Sequence, residues 1–93
     1  SIMYRIELTL KAEEELVALG KSGDKASVKK VYRLFEELKS HPYVGTGKPE
    51  ALVGNYTGYW SRHINRKDRI IYRVKEDVVT VVVVQVGQHY NDK

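Results

Sequence analysis

The chain predicts an α+β domain in which a two-helix hairpin packs on a twisted, mainly antiparallel sheet. Three observations predict it. Apolar residues recur at helical spacing twice before residue 40. Beyond residue 51 the period changes to alternation, the pattern of half-buried strands. Residues 78–86 then form a nearly unbroken β-branched run, which reads as a central strand buried on both faces. The implied order is β-α-α-β-β-β-β, with the helices on one face of the sheet.

Residues 4–8 alternate Tyr4, Ile6 and Leu8 against Arg5 and Glu7, a short strand. Thr9 is the expected N-cap of a helix running to about Leu19, with Glu13, Glu14 and Glu15 near its positive end. Gly20 is expected to end it, with a turn over residues 21–23. Asp24 caps a second helix over residues 25–40. There Val28, Val31, Tyr32, Phe35 and Leu38 are expected to face the core, and Lys29, Lys30, Arg33, Glu36 and Glu37 to face water. His41-Pro42 stops it. A loop marked by Gly45, Gly47 and Pro49 leads to a short strand expected over residues 51–56. In residues 59–64, Trp60, Arg62 and Ile64 alternate with Tyr59, Ser61 and His63. Residues 65–68 turn. Residues 69–75 alternate Ile70, Tyr72 and Val74 with Arg69, Ile71 and Arg73, and Glu76-Asp77 turns into the valine run.

With 93 residues the chain is expected to be one domain, residues 1–93, around one modest core. No apolar run approaches the roughly 20 residues that span a bilayer, and no secretory signal is expected, so no membrane partner is expected. The absence of cysteine excludes disulfide staples and thiol catalysis and fits a reducing, cytoplasmic location. Residues 1–40 carry eight basic and seven acidic side chains, whereas residues 41–93 carry eight and five. Arg62, Arg66, Lys67 and Arg69 lie close together, opposed by Asp68 alone. The second half therefore reads as the surface that meets an anion, with nucleic acid the leading class.

The candidate chemistry follows from residue types. RNA carries its own nucleophile, the 2′-hydroxyl beside the scissile phosphate. Cutting it requires a base, an acid and positive charge on the transition state. Glu50, Arg69 and His89 supply a carboxylate, a guanidinium and an imidazole, and Tyr90 can stack on a base or hydrogen-bond a phosphate. Which group is base and which is acid stays open at this level. Lys48, Arg62, His63, Arg66, Lys67 and Arg73 are the candidate RNA contacts. Singly, each has an ordinary explanation as a surface, edge or core residue. Three histidines without short ligand spacing make no metal centre. Gly45-Thr46-Gly47-Lys48 lacks the spacing of a phosphate loop, so no cofactor is expected.

Read in order, the motifs Gly47-Lys48-Pro49-Glu50-Ala51-Leu52, Gly54-Asn55, Gly58-Tyr59-Trp60-Ser61-Arg62, Arg69-Ile70-Ile71-Tyr72 and His89-Tyr90 resemble the YoeB/Txe family. These are toxins of type II toxin–antitoxin modules within the RelE/ParE superfamily. The resemblance implies a RelE-like fold and a ribosome-dependent endoribonuclease, an mRNA interferase, acting on messenger in the A site. Ribosome, messenger and a cognate YefM/Phd-like antitoxin are the implied partners, with a homodimer as a further state. By matching positions, the family's catalytic residues fall on Glu50, Arg69, His89 and Tyr90. A gyrase-targeting toxin of the ParE branch and an inactive RNA-binding module are the rival functions. The sequence departs from the family pattern at Gly87-Gln88, where an arginine and an aromatic residue usually stand. It also departs at His63, where a second arginine usually follows Arg62, and in the extension Asn91-Asp92-Lys93.

Overall fold

The structure, a computed structural model, describes residues 2–87. Strand β1 (Arg5–Leu8) leads into α1 (Leu10–Lys21) and α2 (Lys25–Leu38). The short β2 (Glu50–Ala51), then β3 (Trp60–His63), β4 (Arg69–Lys75) and β5 (Thr80–Gly87) follow. The five strands form one sheet in the order β1-β5-β4-β3-β2, antiparallel except for the parallel β1–β5 pair. This is the expected α+β architecture, with both helices on one face.

Local chemistry accounts for the helix starts. The Thr9 hydroxyl accepts from the Ala12 amide at 3.1 Å, and the Asp24 carboxylate accepts from both the amide and the hydroxyl of Ser27. Each satisfies backbone donors that the first helical turn leaves open. Helix α1 runs through Gly20 to Lys21 instead of stopping before the glycine, and the reversal falls at Gly23, whose φ is +88°. An isolated glycine costs a helix stability without breaking it.

The core joins Ala12 of α1 and Val31, Leu34, Phe35 and Leu38 of α2 to Ile64, Ile70, Tyr72, Val81, Val83 and Val86. Leu34 takes the inward place expected of Tyr32, which is 55% exposed and packs edge-on to Phe35. On β5 the core residues are Val81, Val83 and Val86, a spacing that breaks strict alternation. The break is a bulge: Tyr72 pairs with Val83 and Ile71 with Gln85, leaving Val84 unpaired. Without it, Gln85 would turn inward and Val86 outward. The valine run is therefore buried on the helix side and partly covered on the other, not buried on both faces. The strand also begins at Thr80, because Val78 closes a 3-10 turn over Glu76–Val78 and Val79 adopts a φ of +49°. The strand expected over residues 51–56 shrinks to Glu50–Ala51 followed by a 3-10 turn over Gly54–Tyr56. Glycines at 54 and 58 with φ of +69° and +95° bend this segment away from the ladder.

Candidate functional site

Cross-strand partners share a face, so the register fixes what the sheet presents away from its helices. One row holds Glu50, Ser61, Ile71 and Gln85, paired in sequence across β2, β3, β4 and β5. The next row holds His63, Arg69 and Gly87. Two residues the other way, Arg73 places its guanidinium 5.9 Å from the centre of the Tyr59 ring. Ser61 and Ile71 are buried and form the floor between these rows. Glu50, Lys48 and Arg73 are exposed, and His63 and Arg69 are half-buried. Strand geometry puts Glu50 and Arg69 about 10 Å apart across the sheet and about 7 Å along it, within reach of one phosphate for side chains of their length.

The imidazole of His63 registers this gathering. Burial lowers its pKa below the usual value, Arg69 and Lys48 lower it further, and Glu50 opposes them. Arg69, Lys48 and Glu50 thus all lie near enough to act on the ring, and its lowered pKa leaves it neutral near pH 7.

The segment that delivers Glu50 is held from beneath. Gly47 accepts a hydrogen bond from the His63 amide at 2.7 Å, extending the β3 edge one step past β2. Its φ is +88°, and a Cβ there would lie 2.9 Å from the His63 carbonyl oxygen, so only glycine fits. Lys48 follows with a φ of +54°.

Arg62 corrects an expectation. It was expected on the RNA-facing surface, yet it is fully buried on the helix side of β3, between Trp60 and Ile64 in the alternation. Its Nη1 donates to Glu37 at 2.8 Å and to the Thr46 carbonyl at 3.4 Å. Its Nη2 donates to the carbonyls of His41 and Val44, and its Nε to the Tyr72 hydroxyl at 3.1 Å. Tyr72 in turn donates to the Pro42 carbonyl at 2.8 Å. The guanidinium fork is spent on the loop of residues 41–47, as burial of a charge requires. Glu37, expected in water, completes the clamp. Thr46 hydrogen bonds foremost, and Arg62 beside it, hold the Glu37 carboxyl below the usual carboxylate range. The sequence signal for this role was the alternation itself, which set Arg62 on the apolar side of its strand.

The remaining expected contacts divide. Arg66 is exposed at the tip of the β3–β4 turn. That turn is fixed by Asn65, whose side-chain oxygen accepts from the Lys67 and Asp68 amides and whose nitrogen donates to Ser27 of α2. Lys67 lines a cleft with Glu15 and Leu19 of α1, on the helix side and away from Glu50. His89 and Tyr90 lie outside the described residues.

A helix pair thus packs on one side of a five-stranded sheet, and a face bearing cations and the Glu50 carboxylate lies on the other. The model of the YoeB-like toxins of bacterial type II toxin–antitoxin systems matches residues 10–90, and the chain belongs to that family. Toxin YoeB of Streptomyces coelicolor is 37% identical over 86 residues, covering 92% of this chain and 99% of that protein. Among solved structures, a YoeB/ParE toxin from Agrobacterium tumefaciens superposes with a TM-score of 0.83 at 34% identity, covering 92% of this chain and 99% of that one. A YoeB dimer from Staphylococcus aureus gives 0.79 at 31% identity, covering 95% and 99%. A heterotetrameric YoeB–YefM complex from the same organism gives 0.78 at 32%, covering 94% and 98%.

Proposed function

We propose that this toxin is a ribosome-dependent endoribonuclease that cuts messenger RNA in the A site. The observation that carries the reading is the gathering of Glu50, Arg69, His63 and Lys48 on one sheet face. A base removes the 2′-hydroxyl proton. The 2′-oxygen then bonds to phosphorus as the bond to the 5′-oxygen breaks, and an acid protonates the departing oxygen. The products are a 2′,3′-cyclic phosphate and a 5′-hydroxyl. Glu50 and His89 form the acid–base pair, and Arg69 neutralises the charge that builds on the phosphorane-like transition state. Tyr90 hydrogen-bonds the phosphate or stacks on a base. Gly87, the last described residue, pairs with Arg69. Lys48, His63, Arg66 and Arg73 supply the surrounding contacts.

The partners on this reading are the ribosome with its messenger and a YefM/Phd-like antitoxin, in the cytoplasm. The Staphylococcus aureus relative assembles with YefM and also forms a dimer, and both states are proposed for this protein. The test is primer extension on ribosome-bound messenger. Glu50→Ala is expected to slow cleavage about 10²–10⁴-fold, and Arg69→Ala about 10²–10³-fold. Equal cleavage by wild type and variants overturns the assignment. Inhibition of purified gyrase by a protein that leaves messenger intact would move it to the ParE branch. Tight ribosome binding without cleavage would make it an inactive RNA-binding module.

A further inference from the structure

The sheet face continues beyond the rows that hold Glu50 and Arg69. At its other end lies a cleft of about 520 Å³, walled by Thr57, Gly58 and Tyr59 on one side and by residues 73–77 on the other. Tyr59 shares a face with Ser61 and His63 and stands half-buried at the mouth of this cleft, its ring braced edge-on by Tyr56 at 5.9 Å. Arg73 is exposed and lies over the ring at 5.9 Å, looser than a closed stack, so a small outward swing of the guanidinium uncovers the aromatic face. A flat ring with an exposed guanidinium beside it is the pairing that single-stranded nucleic acid binds: the base stacks on the ring and the phosphate meets the cation.

We infer that Tyr59 and Arg73 form a separate nucleotide subsite, which holds an RNA base and its phosphate away from the cut. The inference rests on the nuclease reading for its register. Arg69 and Arg73 lie four residue steps apart on one strand, a span of about 13 Å that an extended strand of RNA covers in about two nucleotide steps. The scissile phosphate sits at Arg69 and the second at Arg73. The track stops there. Glu76 and Asp77 line the far end of the same cleft, and their carboxylates repel a further phosphate.

The experiment uses the full chain on ribosomes programmed with a defined messenger. One messenger is cleavable, and a second carries 2′-O-methyl groups in the A-site codon so that binding is read without cutting. Tyr59→Ala and Arg73→Ala are expected to weaken binding of the blocked messenger about tenfold each and to raise KM with little change in kcat. Tyr59→Phe keeps the ring and restores wild-type binding. Arg73→Ala also lowers the slope of log affinity against log salt by about 0.7, the value for one single-strand phosphate. A wild type that cleaves while Tyr59→Ala and Arg73→Ala keep its KM, affinity and salt slope overturns the subsite and leaves the nuclease standing. A wild type that binds but does not cut, with the variants weakened, overturns the nuclease and upholds the subsite. Loss of kcat alone in either variant overturns the subsite as well.

Discussion

His63 occupies a position where a cation would be the simpler choice, and on the proposed function its chemistry is expected to make RNA binding depend on pH. In the free protein, burial and the cations Arg69 and Lys48 keep its pKa below the ordinary value of 6.5. A phosphate set among these groups adds negative charge, which favours the imidazolium and raises the value. The complex therefore binds more protons than the free protein, and affinity rises as pH falls through the interval between the two values. Titrating a 2′-O-methyl messenger on programmed ribosomes at pH 7.5 and pH 5.5 is expected to show tighter binding at the lower pH. His63→Gln is expected to remove the difference. A pH effect that survives the substitution assigns the proton elsewhere. The same depressed value works against the fold: below about pH 6.5 the unfolded chain takes up the proton first, so His63 subtracts from stability as the solution is acidified.

Among the elements, the loop of residues 41–49 has the least regular backbone and the most dedicated support. Arg62 holds it through three carbonyls, Glu37 and Tyr72, so Arg62→Ala removes five hydrogen bonds at once and empties a fully buried site. The expected loss, read by urea denaturation, is about 3–5 kcal/mol. Arg62→Lys keeps a charge but not the fork, and falls between. The caps are the smaller test: Thr9→Ala is expected to cost about 1 kcal/mol, because the Ala12 amide loses its acceptor. These elements also mark what the sequence discloses. The caps at Thr9 and Asp24 were legible because one side chain next to one backbone amide decides them. Arg69 pairs with Gly87, a register set by a connection over residues 76–79 and by the bulge at Val84, neither of which the expected turn at Glu76-Asp77 discloses. For Arg62 the alternation gave the face but not the clamp, since its acceptors come from an irregular loop with no period to read. Tyr32 and Leu34 lie two residues apart on α2, and Leu34 falls on the buried face with Val31, Phe35 and Leu38. The bulge at Val84 leaves no sequence mark in a run of valines. Glu50 was named as a candidate through its motif, yet its face was set by a two-residue strand too short to show a period.

Across the whole molecule, Glu76 ties together parts of the chain that are remote in sequence. Its carboxylate accepts from the Tyr4 hydroxyl at 2.7 Å and from the Tyr43 hydroxyl, joining the entry to β1, the loop of residues 41–49 and the β4–β5 turn. This clasp closes the end of the sheet opposite Arg69, and its pH limits are set by the groups themselves. The two phenols hold the Glu76 carboxyl below its usual value, as Thr46 and Arg62 do for Glu37. Both carboxylates therefore contribute stability that is present above about pH 4.5 and lost as pH falls through the lowered values. On the other side, burial and then Glu76 push the Tyr43 phenol up to about 12, and the Tyr4 phenol is raised by its bond to Glu76. A raised phenol stabilises the fold below pH 10, and that contribution is lost as pH rises from 10 through about 12. The Tm of the full chain is thus expected to fall at both extremes. Glu76→Gln is expected to lower Tm at neutral pH and to make both limbs shallower, because the acid limb loses one carboxylate and the phenols lose the charge that raises them. Calorimetry from pH 3 to pH 12 on the two proteins decides it. Limbs of unchanged steepness in Glu76→Gln would mean that the clasp carries no part of the pH dependence, and that Glu37 and the rest of the sheet set it alone.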